Sequence, residues 1–426
     1  MDTRKTLKKP SFSLAFQVGV FLAKREIKRS NKWTTILIVF VMTLTFLNLI
    51  VVSGILVGLI QGSVDANKDR YTSDIIISPF LEKSYIEKST DAVSIAKTLP
   101  GFVALTTRYV GGGSITTNYK ETLVRGKTAN QAGVLIAGID PQAEDVVTNI
   151  SKYVIKGEYL ESGDIDQIMI GADMLYQYTP IESPGFQTLK NVDVGSKVLL
   201  TVGEATKEVF IKGIIKSKAG DVDMRTFMLA SEARKLLERG DFNVDEIAVQ
   251  LEDDNQALRA KQYLIASGVG EYGRVQTWEE AQPKFLEQIK MTFALLGNVI
   301  GLISLVVASI TIFIVVFVNA ITRRRYIGIL KGIGIDRRSI LVSYTLQALF
   351  YASCGIGIGL FFVFAFLKPY ITAHPINFPF SDGILVATAS GTFTRVVILM
   401  IATIIAGLIP ARIVVRQNTL DAILGR

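Results

Sequence analysis

The chain has 426 residues, is 49% hydrophobic with a mean hydropathy of +0.38, and carries a formal net charge of +8. Its apolar residues fall in a few long blocks with an ordinary polar stretch between the first two, which excludes a single soluble domain and points to membrane spans flanking a folded aqueous domain. The basic excess is no nucleic-acid footprint: Thr34 to Leu286 holds 25 Lys and Arg against 32 Asp and Glu, so the surplus lies beside the apolar blocks.

Residues 1–33 form a basic N-terminal segment. Phe12, Leu14, Phe16, Val20, Phe21 and Leu22 lead into Lys24, Arg25, Lys28 and Arg29, a pattern that predicts an amphipathic helix lying in the cytoplasmic interface. Four segments are long enough to cross about 30 Å of hydrocarbon: Thr34–Gly62, Ile289–Ile321, Leu341–Leu367 and Thr394–Ile413. None contains Asp or Glu, and Lys290, Lys368 and Arg395 lie at ends where long side chains snorkel. The first apolar run is too long for a cleaved signal peptide, and no small-residue cleavage site follows it. It exceeds what a bilayer needs, as does the second when the helix-compatible run Trp278–Gln288 is added, so both are expected to continue outward as a stalk, with Pro283 at a kink or first turn.

The positive-inside rule places the N-terminal segment, the 322–340 loop and the 414–426 tail in the cytoplasm of a multi-pass inner-membrane protein. Residues 63–277 and the short loop 368–393 then lie outside, with 278–321 as stalk and second span, 341–367 as the third and 394–413 as the fourth.

The 63–277 region alternates short β-rich runs with turns and a few amphipathic helices, which predicts an α+β domain inserted between the first two spans. Strands are expected at Asp74–Ser78, Val103–Val110, Leu135–Gly138, Lys197–Val202, Glu208–Ile215 and Glu246–Leu251. Helices are expected at Thr90–Leu99, Ser231–Glu238 and Asn255–Ser267, with Ser231 and Asn255 as N-caps. Interruptions near Gly157–Asp166 and Ser183–Gly195 suggest two subdomains.

Chemical motifs are wanting. Gly268 to Gly273 fits a dinucleotide fingerprint in spacing but lacks its strand–turn–helix context, and Gly126-Lys127-Thr128 lacks the first glycine of a P-loop. Gly111-Gly112-Gly113 reads as a turn or bulge. Cys354 is the one cysteine and His374 the one histidine, so no cysteine metal cluster forms, and His374 reads as a loop residue. Nothing here supports an enzyme, a bound cofactor or a metal.

Within the spans, glycine pairs at small-xxx-small spacing occur at Gly54/Gly58, Gly297/Gly301 and Gly355/Gly359; they allow close helix packing inside one subunit or at a dimer interface. Asn48, Asn298, Asn319 and Gln347 need hydrogen-bond partners in lipid. With no acidic residue in any span, ion coupling is disfavoured and energy must come from elsewhere.

The most informative stretch is Arg323-Arg-Arg-Tyr-Ile-Gly-Ile-Leu-Lys-Gly-Ile-Gly-Ile-Asp-Arg-Arg-Ser-Ile340. A short helix Tyr326–Lys331 is expected to present Ile327, Ile329 and Leu330 before glycines break it and Asp336 restarts a helix. An apolar face rimmed by charge suits a partner's groove; a membrane-parallel helix is the alternative. This loop resembles that of the FtsX/MacB/LolC-LolE permeases (type VII ABC machinery), whose pattern reads R-x-x-E-I-G-[IL]-L-[KR]-A-[IVM]-G-A-[ST]. The tail Ile409-Pro-Ala-Arg to Leu424 is similar to that family's ending, and Gly138-Ile-Asp-Pro141, Ile168 to Asp173 and Val194 to Leu199 are similar to its lipoprotein-release branch. Tyr326 stands where the family usually has glutamate, Thr419 replaces the tail proline, and Gln347 stands where many members have glutamate.

The resemblance implies a non-catalytic permease subunit paired with a second, identical or homologous, subunit and with cytoplasmic ABC ATPases that bind ATP and Mg. It implies ATPase coupling through Tyr326, Ile327, Gly328, Leu330, Lys331, Gly334, Arg337 and Arg338. Motion would pass along the long helices to expel or extract a hydrophobic cargo such as a lipoprotein, peptide or drug, with a periplasmic adaptor or lipoprotein as a further partner. The alternative function is a signalling scaffold that regulates a cell-wall hydrolase; an external domain of over two hundred residues favours transport.

Overall fold

The computed structural model describes residues 12–30, 32–120, 129–180, 187–282, 284–378 and 381–416. Two compact units divide the chain: Met1–Gly58 with Lys290–Ile376 and Gly383–Arg426, and Leu59–Ile289 with Asn377–Asp382. Gly126-Lys127-Thr128, Pro283 and the tail beyond Arg416, Thr419 included, lie outside the described residues, as does the side chain of Asn319.

The first unit is helical. Helix α1 (Phe12–Arg29) precedes α2 (Lys32–Asn67), which ends in a π-helical turn at Lys68–Thr72. After the inserted domain come α8 (Lys284–Thr322), α9 (Arg324–Gly332) and α10 (Arg337–Phe362), the last continuing through a π-helical turn into α11 (Lys368–Ala373). A short hairpin, β11 (Ile376–Phe378) and β12 (Ser381–Gly383), leads to α12 (Ala389–Arg416). Four helices are long and apolar enough to cross a membrane: Lys32–Thr72, Leu286–Thr322, Arg337–Ala373 and Ala389–Arg416. At 1.5 Å per residue the 41 residues of the first extend about 60 Å, twice the hydrocarbon thickness, so much of it runs beyond any bilayer. Such helices form because lipid supplies no hydrogen-bond partner and each backbone N–H must find one in its own segment.

These helices meet through small residues. Met42, Phe46 and Ile50 of α2 are buried with Ala348, Ala352 and Ile356 of α10 in one cluster. Polar spans find partners as well: Ser304 Oγ donates to Asn48 Oδ1 at 2.6 Å, Arg395 Nη2 to Ser53 Oγ at 2.7 Å, and Gln347 Nε2 to Ser343 Oγ at 3.4 Å. The sole histidine, His374, is exposed and stacks on Tyr370.

Among its described residues the inserted domain is built on ten strands: β1 (Ile75–Ser78), β2 (Phe102–Thr116), β3 (Gln131–Ile139), β4 (Val154–Gly157), β5 (Gln167–Gly171), β6 (Lys197–Val202), β7 (Ala205–Ile215), β8 (Arg225–Leu229), β9 (Glu246–Leu251) and β10 (Arg274–Thr277). Its helices are α3 (Ser89–Ala96), α4 (Pro141–Thr148), α5 (Gly220–Asp223), α6 (Ala230–Leu236) and α7 (Ala257–Ala266). Strand order is β10-β1-β9-β2-β3-β8-β5-β7-β4, and β6 pairs with both β2 and β7. That last pairing closes a ring, β2-β3-β8-β5-β7-β6, around a core that includes Ile115, Ile136, Ile168, Val198, Leu200 and Val209. Closure leaves the six ring strands without a free edge, the hazard of an open sheet, while β10 and β4 stay at the ends of the strand order. β2 makes closure possible by its length: its first half pairs with β9, its second with β3 on one edge and β6 on the other.

Several expectations are corrected here. Gly111-Gly112-Gly113 lies inside β2 in unbroken register with Ile136, Leu135 and Val134, not in a turn. The reason is space: a Cβ on Gly113 would stand 2.5 Å from the Thr201 carbonyl of β6, and one on Gly111 2.0 Å from Leu237. Neither Ser231 nor Asn255 is an N-cap. Helix α6 starts on Leu229 with no side-chain cap, while Asp253 accepts from Asn255 N at 3.1 Å. Gly138-Ile-Asp-Pro141 turns out to be a strand end followed by a helix start: Asp140 accepts from the Gln142 and Ala143 amides, and Pro141 occupies the first turn. The Gly157–Asp166 interruption joins β4 to β5, and the buried apolar residues of the domain fall in two clusters, one running from Ile75 to Val275 and one from Ala66 to Phe227.

Candidate functional site: the loop between the second and third spans

Helix α8 stops at Thr322, and α9 begins one residue later. Its end is a Schellman motif: Ile335 N donates to Leu330 O at 3.0 Å and Gly334 N to Lys331 O at 3.1 Å. That geometry puts Gly334 at φ +90°, which explains the glycine. Asp336 then caps α10, accepting from Arg338 N at 3.2 Å. Sequence chemistry therefore dictates a short, sharply bounded helix between two spans.

The tertiary structure decides its orientation. Ile327 is 2% and Leu330 9% exposed, and Gly328 is buried beside them. Both side chains line a narrow crevice with Leu22 of α1 and Ile340 and Tyr344 of α10. Burying two such side chains is worth roughly 1.5–3 kcal/mol each, enough to hold α9 on the chain's own helices. Polar ties add to this. Arg323 pairs with Glu26 of α1, and Lys331 Nζ donates to Val415 O at 3.2 Å, where the last carbonyls of α12 lack helical partners. Burial pushes the Lys331 ammonium down, and nearby Arg337 adds to this.

The outward surface is correspondingly different from the one the sequence suggests. Ile327, Gly328 and Leu330, expected to face a partner, are buried against the chain's own helices. Exposed instead are Tyr326 (40%), Ile329 (49%) and Ile333 (72%), at i, i+3 and i+7, rimmed by Arg325, Arg337 and Arg338. Ile333, the most exposed, is the residue the sequence reading passed over; its position just before a left-handed glycine was the available signal.

The glycine pairs all meet partners within this chain. A Cβ on Gly355 would lie 2.6 Å from Met42 Cβ, and one on Gly359 2.5 Å from the Phe46 ring, both on α2. A Cβ on Gly297 of α8 would lie 3.2 Å from Ser53 of α2, and one on Gly301 3.2 Å from Leu49. Gly54 and Gly58 receive no helix: they seat the extended segment after β12, with Ile384 O 1.8 Å from a Cβ at Gly58 and Val386 N donating to Gly54 O at 3.2 Å.

A second constellation, unseen in the sequence, lies in the inserted domain where α2 ends. Arg108 of β2 is fully buried and grips Glu144 of α4 through Nη2 at 2.7 Å and Nε at 3.0 Å. Its Nη2 also donates to Tyr71 O at 2.8 Å, within the π-helical turn. The Tyr71 ring sits between the guanidinium groups of Arg108 and Arg225, 4.6 and 4.5 Å from its centroid. Tyr71 OH and both arginines bond Glu246. Burial would raise the Glu246 carboxyl, but Arg225 and Arg108 outweigh it and hold that group below the usual range. The network is arranged to fasten the last turn of α2 to the sheet. Among the described residues no cluster of three or more His, Cys, Asp or Glu is placed to hold a metal.

Comparison with known proteins bears on the helical unit first. Residues 298–419 match the family model described as the FtsX-like permease C-terminal domain. Two curated relatives are the macrolide export ATP-binding/permease proteins MacB of Campylobacter jejuni subsp. jejuni, serotypes O:23/36 (strain 81-176) and O:2 (strain ATCC 700819 / NCTC 11168); each is 25% identical over 191 residues. The match covers 43% of this chain and 28% of theirs. Among solved structures, the extracellular domain of the noncanonic ABC-type transporter YknZ from Gram-positive bacteria aligns over 48% of this chain and 97% of its own at 13% identity and TM-score 0.31. The periplasmic region of MacB from Actinobacillus actinomycetemcomitans aligns over 50% and 92% at 14% identity and TM-score 0.34. Over residues 298–419, from within α8 through the loop and last two spans, this chain is thus similar to the C-terminal domain of the FtsX-like permeases.

Proposed function

We propose that this chain is the membrane subunit of an ABC-type complex, taking force from a separate cytoplasmic ATPase at α9 and delivering it to the inserted domain. In that arrangement ATP and Mg belong to the ATPase, this chain binds no cofactor, and a second permease subunit, identical or homologous, completes the complex. The observation that carries the reading is α9 itself: a short helix fixed inward by Ile327 and Leu330 while Tyr326, Ile329 and Ile333 face outward within a basic rim. Such a face is what a partner's groove grips. The family match over residues 298–419 supports the permease role. Basic residues at Arg323–Arg325 and in α1 support an inner-membrane protein with both termini in the cytoplasm. The long helices α2 and α8 supply stiff rods, and the network at Tyr71 fastens one of them to the sheet, which suits mechanical relay rather than conduction. The work done is extraction or export of a hydrophobic cargo: a lipoprotein, peptide or drug.

The test is site-directed crosslinking in cells that express the chain with the ATP-binding-cassette protein encoded beside it. Ile329→Cys and Ile333→Cys should crosslink to that ATPase, whereas Ile327→Cys should not. Ile333→Glu should uncouple its nucleotide hydrolysis from this chain without lowering the chain's thermal stability. Equal crosslinking at Ile327 and Ile333, or full coupling in Ile333→Glu, would overturn the assignment of this face.

A further inference from the structure

Helix α1 is only half explained by its packing. Its inner arc is small and apolar: Ala15, Gly19, Leu22 and Ala23 are buried, and a Cβ on Gly19 would lie 2.6 Å from Val342 and 3.0 Å from the Ser339 carbonyl of α10. Glu26, on the same arc, pairs with Arg323. The helix is therefore held along α10, not merely laid on a surface by its own amphipathicity.

The opposite arc is graded along its length. Leu14, Val20 and Phe21 are 53%, 41% and 63% exposed in the first ten residues. Lys24, Arg25, Lys28 and Arg29 follow, all exposed, on the same side of an 18-residue helix. Among the described residues none of these four cations has an ion pair, and the one acid of α1 is engaged elsewhere. Beyond the helix, Lys32 and Trp33 open the first span, and Trp33 is 81% exposed. A tryptophan so placed marks the headgroup level of the bilayer, which sets the basic cluster at the height of the phosphates and leaves the apolar half to reach acyl chains.

We propose that this outward face of α1 is a docking surface for anionic phospholipid of the leaflet on its side. The occupant follows from charge and from grading: a bare hydrocarbon surface has no use for four adjacent cations, and a soluble anion has none for Leu14 and Phe21. Four to eight Lys or Arg beside a span attract anionic headgroups, and the attraction decays within a Debye length. Because Glu26 and Arg323 join α1 to the residue before α9, headgroups that seat α1 also steady the base of the loop. The inference stands apart from the ATPase reading, since it concerns lipid alone.

The test uses the full chain with Trp278→Phe, leaving Trp33 as its single tryptophan, reconstituted in phosphatidylcholine vesicles in which brominated phosphatidylglycerol or brominated phosphatidylcholine is the quencher. Phosphatidylglycerol should quench Trp33 with an association constant about tenfold higher than phosphatidylcholine at low salt, the ratio falling as salt rises. Neutralising Lys24, Arg25, Lys28 and Arg29 to Gln should return the ratio to near unity. Should Trp278→Phe fail to fold, the natural chain serves, with Trp278 as a constant unquenched background. A ratio near unity in the natural sequence would overturn the proposal and leave the cations to a protein partner; a high ratio that survives neutralisation would overturn it too, placing lipid recognition elsewhere.

Discussion

Arg108 offers the sharpest quantitative test, because each of its three guanidinium nitrogens has a named acceptor and the side chain has no solvent to fall back on. Arg108→Met keeps the volume and removes the charge. Glu144, 1% exposed, then keeps only the hydroxyls of Thr106 and Thr148, at 2.9 and 3.4 Å. Stranding a buried charge in this way costs about 3–5 kcal/mol. In a domain of this size that corresponds to a fall of roughly 6–20 °C in the unfolding temperature. Arg108→Met with Glu144→Met removes both charges and should recover most of the loss, since apolar replacement of a whole buried pair is close to neutral. The assay is Trp278 fluorescence on the full chain carrying Trp33→Phe, followed through thermal unfolding at pH 7. Glu246 adds a pH signature. Its carboxyl is held low, so its contribution is fully present above the ordinary glutamate range and is lost as pH falls below that range through the lowered folded-state value. Arg108→Met weakens this hold and should move acid unfolding to higher pH. A single variant that loses under about 1 kcal/mol, or a double variant as damaged as the single, would refute the claim that Arg108 and Glu144 act as one buried unit.

Two further outcomes follow from packing and burial. Gly355→Ala should lower the stability of the helical unit by about 1–3 kcal/mol, since its Cβ meets Met42 and the Thr43 backbone nitrogen. Gly357→Ala, two residues away with nothing within 4 Å, should be neutral or slightly stabilising; equal effects in thermal melts in detergent would discredit the α2–α10 contact. Burial pushes the Asp223 carboxyl up to about 6, although the amides of Ser217 and Lys218 and the Ser217 hydroxyl all donate to it. A carboxyl raised on folding holds its proton more tightly folded than unfolded, so the natural chain should gain stability relative to Asp223→Asn as pH falls from 7 towards 5. A difference between the two that stays constant in urea unfolding over that range would refute it.

Much of this protein is legible in its residues because lipid is an unforgiving solvent. The four spans, the absence of acid within them and the length of the first could be read directly, since only a long apolar helix satisfies its own backbone there. The bounds of α9 were legible too, through Gly334 and Asp336, as were strands with dense β-branched runs such as Lys197–Val202 and Glu246–Leu251. β5 and β8 were missed as strands, being five-residue runs too short to show a period. Gly111 to Gly113 misled because glycine usually ends a strand, and only the approach of Leu237 to Gly111 and of β6 to Gly113 explains two of them inside one.

What the sequence determined by itself, then, is everything set by local chemistry and by the solvent around each segment: the number of spans, the inserted α+β domain, a short helix in a basic loop. Only the tertiary structure decided which face of that helix is free, that Gly54 and Gly58 seat an extended segment and not a helix, and that Arg108 meets Glu144 across 36 positions of chain. The physical reason is one of information. A helix of nine residues with apolar side chains at several angles has no inside until neighbours remote in sequence, here Leu22 and Tyr344, supply one.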